Sequence, residues 1–128
     1  MRYRKLGNTG LMVSEIGLGA EWLERHDQEE VTAVIRRCEE QGINILDCWM
    51  SNPEVRSKIG RAIQGRREHW IIQGHFGSTW QEGQYVRTRE LPLVREAFQD
   101  LLTRLQTDYI DLGMIHYVDT EEDFHRVF

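Results

Sequence analysis

Three short apolar runs in this chain each end in a group that can carry a proton. Asp47 stands near the close of residues 42–48 (GINILDC), His75 follows residues 70–74 (WIIQG), and His116 follows residues 109–115 (YIDLGMI). Glu21 and Trp22 follow a fourth run, residues 16–20, and Asp119 trails His116 by three positions. Imidazole titrates near neutral pH and a nearby carboxylate biases its charge, so such a set is suited to general acid–base chemistry. The same residue types also ligate zinc or iron. A metal held by Asp47, His75, His116 and Glu21 has suitable ligands, but the spacing matches no short metal motif, and no metal site is assigned.

Proton chemistry requires the three groups to meet, and the pattern between them says how. Asp27 and Glu30 form a D-x-x-E start ahead of Val31, Val34, Ile35 and Cys38, and Gly42 stops this helix. Asn52 caps a second helix with Pro53 at its first position, a stripe of Val55, Ile59 and Ile63, and Gly65 at its end. Val94, Phe98, Leu101, Leu102 and Leu105 lie on one face of a third helix, and Thr120 with Asp123 opens a fourth. Residues 76–89 read as a long polar, glycine-containing loop. At the N-terminus, two short strand-like runs flank Gly7-Asn8-Thr9-Gly10, a hairpin signal.

Strands alternating with amphipathic helices specify an α/β fold with parallel strands. A doubly wound sheet and part of a (β/α)8 barrel both fit that alternation. The barrel is favoured on two grounds. The last helix has a start signal, about two turns and no stop, and four units are half of a barrel of ~250 residues. The expectation is therefore a single domain, residues 1–128, made of a β-hairpin and the N-terminal half of a barrel, truncated in its fourth helix. In parallel α/β folds, chemistry gathers at the carboxyl ends of the strands, where Glu21, Asp47, His75 and His116 fall.

Composition narrows the function. With 128 residues, 40% hydrophobic and 29% charged, the chain can bury one core and is not a disordered segment. A net charge of -5 argues against a basic nucleic-acid face, and Arg61, Arg66 and Arg67 read as the polar end of the second helix. No apolar run reaches the ~20 residues of a membrane span, and no signal-peptide core is present, so no membrane partner and a cytoplasmic location are expected. Cys38 and Cys48 lack C-x-x-C spacing and fit a reducing compartment; Cys48 reads as a buried small residue rather than a reactive thiol. Gly17-Leu18-Gly19 is half of a dinucleotide fingerprint with no third glycine, better read as close backbone packing. Trp22, Trp49 and Trp80, placed just after strands, are candidates to line a substrate pocket. His26, His69 and His125 read as solvated surface.

The segments KLGNTGLMVSEIGLG, GINILD and RLQTDYIDLGMIH, with a later aspartate, resemble the N-terminal half of the aldo-keto reductase superfamily. NPEVR, QGHFGST and MIHYVDTEEDF resemble most the subgroup carrying a ferredoxin-type cysteine segment near its C-terminus. The resemblance implies a (β/α)8 barrel that reduces aldehydes and ketones, small-molecule substrates, with NADP(H). It implies a catalytic Asp at Asp47 and His at His116. The family's Tyr position is occupied here by Asn52 and its Lys position by His75. The tetrad is thus altered, and the histidine pair is expected to take over proton handling, with Asp47 holding His116 protonated as the acid. By the same resemblance the main cofactor contacts and any iron–sulfur cysteines lie beyond Phe128. The isolated half is then expected to be inactive and to self-associate through its open strands. A noncatalytic binding protein built on the same barrel is the competing reading, suggested by the substituted Tyr and Lys.

Overall fold

The computed structural model describes residues 1–127. The chain opens with an antiparallel hairpin, β1 (Tyr3–Lys5) and β2 (Met12–Ser14), with Tyr3 opposite Ser14. Asn44, just ahead of the second barrel strand, stitches this hairpin to the domain. Its side-chain oxygen accepts from the Ser14 N–H at 2.8 Å, and its amide donates to the Met12 carbonyl at 2.9 Å. The hairpin therefore sits at the amino ends of the strands, away from the tips.

Four strands then form one parallel sheet: β3 (Leu18–Gly19), β4 (Ile45–Cys48), β5 (Ile71–Phe76) and, after an intervening hairpin, β8 (Leu112–Ile115). Their spatial order is β3-β4-β5-β8, so each new strand adds to the same edge. A doubly wound sheet reverses direction at a switch point; continuous addition is how a barrel grows. The architecture is a partial barrel.

Three helices cover one face. α1 (Gln28–Glu40) starts at the Asp27/Glu30 capping box that the D-x-x-E pattern specifies. α2 (Pro53–Ile63) starts at Asn52, whose side chain accepts from the Glu54 N–H, and α3 (Leu91–Leu105) follows the hairpin. Their apolar stripes bury Val31, Ile35, Val55, Ile59, Ile63, Leu101 and Leu105 against Leu46, Cys48 and Ile72 of the sheet. Gly60 brings α2 against α3: a Cβ there would lie 2.0 Å from the Arg104 carbonyl oxygen. α4 (Glu121–Val127) is short and has no fully buried residue. Among the described residues no helix is long and apolar enough to cross a membrane.

Residues 76–89 depart from the loop reading. β5 runs on to Phe76, and β6 (Ser78–Gln81) pairs antiparallel with β7 (Gln84–Arg87). Glu82 and Gly83, at φ 50° and 79°, make the two-residue turn, the positive-φ pair that matches strand twist in a hairpin. Composition concealed it, since the strands are mostly polar and the turn is Glu-Gly rather than Asn-Gly. Arg66 and Arg67 are also more than a helix end: Arg66 pairs with Glu39 at 2.9 Å and Arg67 with Asp111 at 2.8 Å, tying α2 to α1 and to the approach of β8.

Candidate active site

Register decides which side chains share a face. Asp47 of β4 lies beside Gln73 of β5, and His75 lies beside Met114 of β8. Side chains alternate along a strand, so Leu46, Cys48, Ile72 and Gly74 face the helices, while Asp47, Gln73 and His75 face the other way. His116, one residue past β8, points to that second face and is only 5% exposed. Its N–H donates to the Phe76 carbonyl at 2.9 Å, which continues the β5–β8 ladder and fixes where the ring begins.

The three sequence candidates are brought together. His75 Nδ1 and His116 Nδ1 are 3.0 Å apart, so a single hydrogen lies between them: one nitrogen donates and the other accepts. His75 Nε2 lies 3.2 Å from Asp47 Oδ1. That contact is an ion-pair distance without hydrogen-bond alignment, and Asp47 Oδ1 is buried with no hydrogen-bond partner. Gln73 Nε2 is 3.4 Å from the same His75 nitrogen. At the far end, His116 Nε2 is 2.8 Å from the Tyr85 hydroxyl, supplied by β7. Asp47, His75, His116 and Tyr85 thus form a continuous line of proton-carrying groups across the strand tips.

Aromatic rings and arginines hold this line in place. Trp49 stacks on His116, with centroids 5.5 Å apart and planes 7° off parallel, and meets Tyr85 edge-on at 5.7 Å. Arg89 donates to the His116 carbonyl at 2.8 Å and the Tyr117 carbonyl at 2.6 Å while pairing with Asp123 at 3.0 Å. Tyr117 takes φ 48°, an uncommon conformation for a bulky residue, under these contacts. Arg87 bonds Asp119, so both arginines bind the β7 end of the hairpin to the segment after β8. On the other side, the Ser51 hydroxyl donates to the Thr79 carbonyl at 2.7 Å.

Burial pushes the His116 pKa down to about 4, and the charges of His75, Arg89 and Arg87 act in the same direction. Asp47 opposes them but is the smallest influence. The expectation that Asp47 keeps His116 protonated therefore fails. The carboxylate is nearer His75, and a stacked, dehydrated ring surrounded by cations favours the neutral form. Burial also raises the Tyr85 phenol, with Arg87 pulling against it, and it raises the Cys48 thiol to about 12. Cys48 is a packing residue.

The remaining candidates separate. Asn52 is half-buried, and its side-chain oxygen is committed to the α2 cap at 2.9 Å from the Glu54 nitrogen. It lines a cavity of about 180 Å3 together with Trp49, Trp80, Tyr85 and Glu21. A second opening of about 380 Å3 is bounded by Glu21, Trp49, His75, His116 and Tyr117. Trp49 and Trp80 thus border the mouth. Trp22 borders neither cavity; it is 59% exposed beneath the Arg25 guanidinium. Among the described residues no three His, Cys, Asp or Glu side chains are grouped to hold a metal ion. Tyr85, Arg87 and Arg89 escaped the strand-tip reading because they lie on the hairpin taken for a loop.

A parallel partial barrel with titratable side chains at its strand tips is a fold that hosts many enzyme chemistries, and comparison identifies the family. The sequence model of the Aldo/keto reductase family matches residues 15–128, and the chain belongs to that family. It is 36% identical over 120 residues to the uncharacterised oxidoreductase YqkF of Bacillus subtilis strain 168, covering 91% of this chain and 39% of that protein. The aldo-keto reductase AKR11C1 of Bacillus halodurans, in its holo form, superposes with a TM-score of 0.82 at 32% identity, over 96% of this chain and 43% of that one. An aldo-keto reductase of Klebsiella pneumoniae solved with NADPH shares the fold at 20% identity and a TM-score of 0.68, over 91% and 41% of the two chains. The chain spans about two fifths of the length of the curated relatives it matches.

Proposed function

We propose that this chain carries the proton-handling half of an NAD(P)H-dependent carbonyl reductase with an altered tetrad. The observation that carries this reading is the contact between His75 and His116 beside Asp47, at the strand tips of an aldo/keto reductase barrel. The reductant implied by the family supplies a hydride to the carbonyl carbon when bound. Its reacting end fits the open face: Asp47 Oδ1 is an unsatisfied buried acceptor, suited to an amide donor, and Trp49 provides a flat apolar wall. The phosphate-binding groups are placed by resemblance in later strands of the family fold. The chain's own residues orient the carbonyl at the mouth, exclude water from the His116 ring, and return a proton to the oxygen as charge develops there.

The test is loss of reduced-nicotinamide absorbance by the polypeptide as encoded, against a panel of aldehydes and ketones. Oxidation that depends on a carbonyl substrate supports the reading, and its absence across the panel would overturn it. A noncatalytic barrel is the second reading, favoured by the commitment of Asn52 to a helix cap. Tight binding of a carbonyl compound without turnover would establish it.

Two further elements complete the proposal. A ferredoxin-type cluster, if the subgroup resemblance holds, draws its cysteines from outside residues 1–128. Cys38 lies on α1 and Cys48 is a buried thiol held protonated, so iron analysis of residues 1–128 should find none. The 128-residue chain also associates with itself. β3 and β8 are open sheet edges, and β8 exposes Met114 and Ile115. Light scattering at micromolar concentration should show a dimer or larger, and a stable monomer would refute the association.

A further inference from the structure

We propose that Tyr85, from the β6–β7 hairpin, is the catalytic proton donor to the substrate oxygen, and that His116 and His75 relay a proton to it from solvent. The proposal rests on the carbonyl-reductase reading and assigns the acid that reading needs.

Geometry weighs against His116 and Asn52 as the donor. His116 has two ring nitrogens and both are engaged, Nδ1 by His75 at 3.0 Å and Nε2 by Tyr85 at 2.8 Å. It has no N–H left for a substrate. Asn52 has no labile proton, and its oxygen is occupied by the α2 cap. A phenol carries one O–H and can accept at the same time. When His116 Nε2–H donates to the Tyr85 oxygen, the Tyr85 O–H is free to point elsewhere. Tyr85 and Asn52 line the same cavity, so a phenol side chain borders the site of the missing tyrosine from another element.

The hairpin is built to hold that ring. Tyr85 pairs with Trp80 across the hairpin and meets Trp49 edge-on with planes 84° apart. Ser51 fastens one strand to the β4 tip and Arg87 fastens the other to Asp119. The charged and titratable groups around the phenol are therefore His116 and His75, Arg87 and Arg89, Tyr117, Asp119 and, across the cavity, Glu21 and Glu24. Burial raises the phenol pKa, with Arg87 and Arg89 pulling the other way, so the hydroxyl carries its proton at neutral pH.

The transfer balances. The hydride brings two electrons to the carbonyl carbon, the C=O π pair moves to oxygen, and that oxygen takes the Tyr85 proton. Tyr85 regains a proton from His116 Nε2, and His116 Nδ1 takes the hydrogen shared with His75 Nδ1. His75 Nε2, beside Asp47 on the open face, takes one proton from water. The sum is one carbonyl, one hydride and one solvent proton converted to an alcohol. Asp47 favours the step by stabilising positive charge on His75 while the proton passes.

The experiment is Tyr85→Phe in the polypeptide as encoded, with Tyr109→Phe as a control, a tyrosine before the amino end of β8 that stacks with the Arg67 guanidinium. Turnover should fall by ~100- to 10,000-fold in Tyr85→Phe, the usual cost of losing a general acid. The control should retain parental turnover, and both variants should keep the parental circular dichroism. A second readout needs no turnover: the 15N shift of His116 Nε2 should move in Tyr85→Phe, because the hydroxyl partner is gone. An active parent whose Tyr85→Phe variant keeps near-parental turnover overturns this assignment while leaving the carbonyl-reductase reading intact. An unmoved Nε2 resonance overturns it as well. A parent inactive with every carbonyl offered removes the functional reading and this assignment with it.

Discussion

The two faces of the four-stranded sheet divide the work. The helix-covered face is closed and apolar: Leu46, Cys48 and Ile72 are fully buried under α1, α2 and α3. The other face holds Asp47, Gln73 and His75 half-buried, leading to His116. Alternation along each strand makes both from the same strands, one face apolar and one polar. The difference shows why polar groups are tolerated here. Each is paired or borders an opening, whereas on the covered face a polar group would lose its hydration without a partner.

Substitutions should separate the two faces. Gly60→Ala should be the most damaging to stability, because its Cβ would collide with backbone that cannot rotate away. We expect ~3 kcal/mol or more, at the upper end of overpacking costs, read from urea unfolding. Ile72→Ala, a cavity in the covered face, should cost ~2–5 kcal/mol in the same measurement. Equal melting of the parent and either variant would remove the claim that this face carries the fold.

The open face should respond to acid instead. His116 titrates at about 4 when folded against an ordinary 6.5, so the unfolded chain binds its proton more readily between those values. Its contribution is complete above about pH 6.5, is lost as pH falls toward about 4, and changes no further below that. At ~1.4 kcal/mol per pH unit this amounts to at most ~3.5 kcal/mol. His116→Gln should remove that part of the acid dependence, and unfolding curves for both proteins across the acidic range check it. The smallest effect belongs to Cys48. Its thiol should resist alkylation in the folded chain at mildly alkaline pH and react only on unfolding, as mass spectrometry of the labelled sites would show.

Much of this division was legible in the sequence. The capping box at Asp27 and Glu30, the Asn52-Pro53 start and the apolar stripes fix the helices by local rules that tertiary packing did not override. The strand tips gave Asp47, His75 and His116, because the carboxyl end of a parallel strand is a topological address. The β6–β7 hairpin was hidden: Ser78, Thr79, Gln81, Gln84 and Arg87 offer no hydrophobic alternation, and its order comes from anchors such as Ser51 and Asp119 that lie far away in the chain. The protonation of His116 was misjudged for a related reason. Asp47 is visible as a carboxylate on the next strand but one, whereas the stacking of Trp49 and the approach of Arg87 and Arg89 exist only in three dimensions.

The central claim is that the open face moves protons for a carbonyl reduction while the covered face holds the fold. Turnover and melting of His116→Ala, measured together in the polypeptide as encoded, test it most directly. The account predicts that carbonyl-dependent turnover falls by ~100- to 10,000-fold, with nicotinamide-cofactor affinity unchanged and cooperative unfolding retained at neutral pH. Near-parental turnover in a folded His116→Ala protein would contradict it.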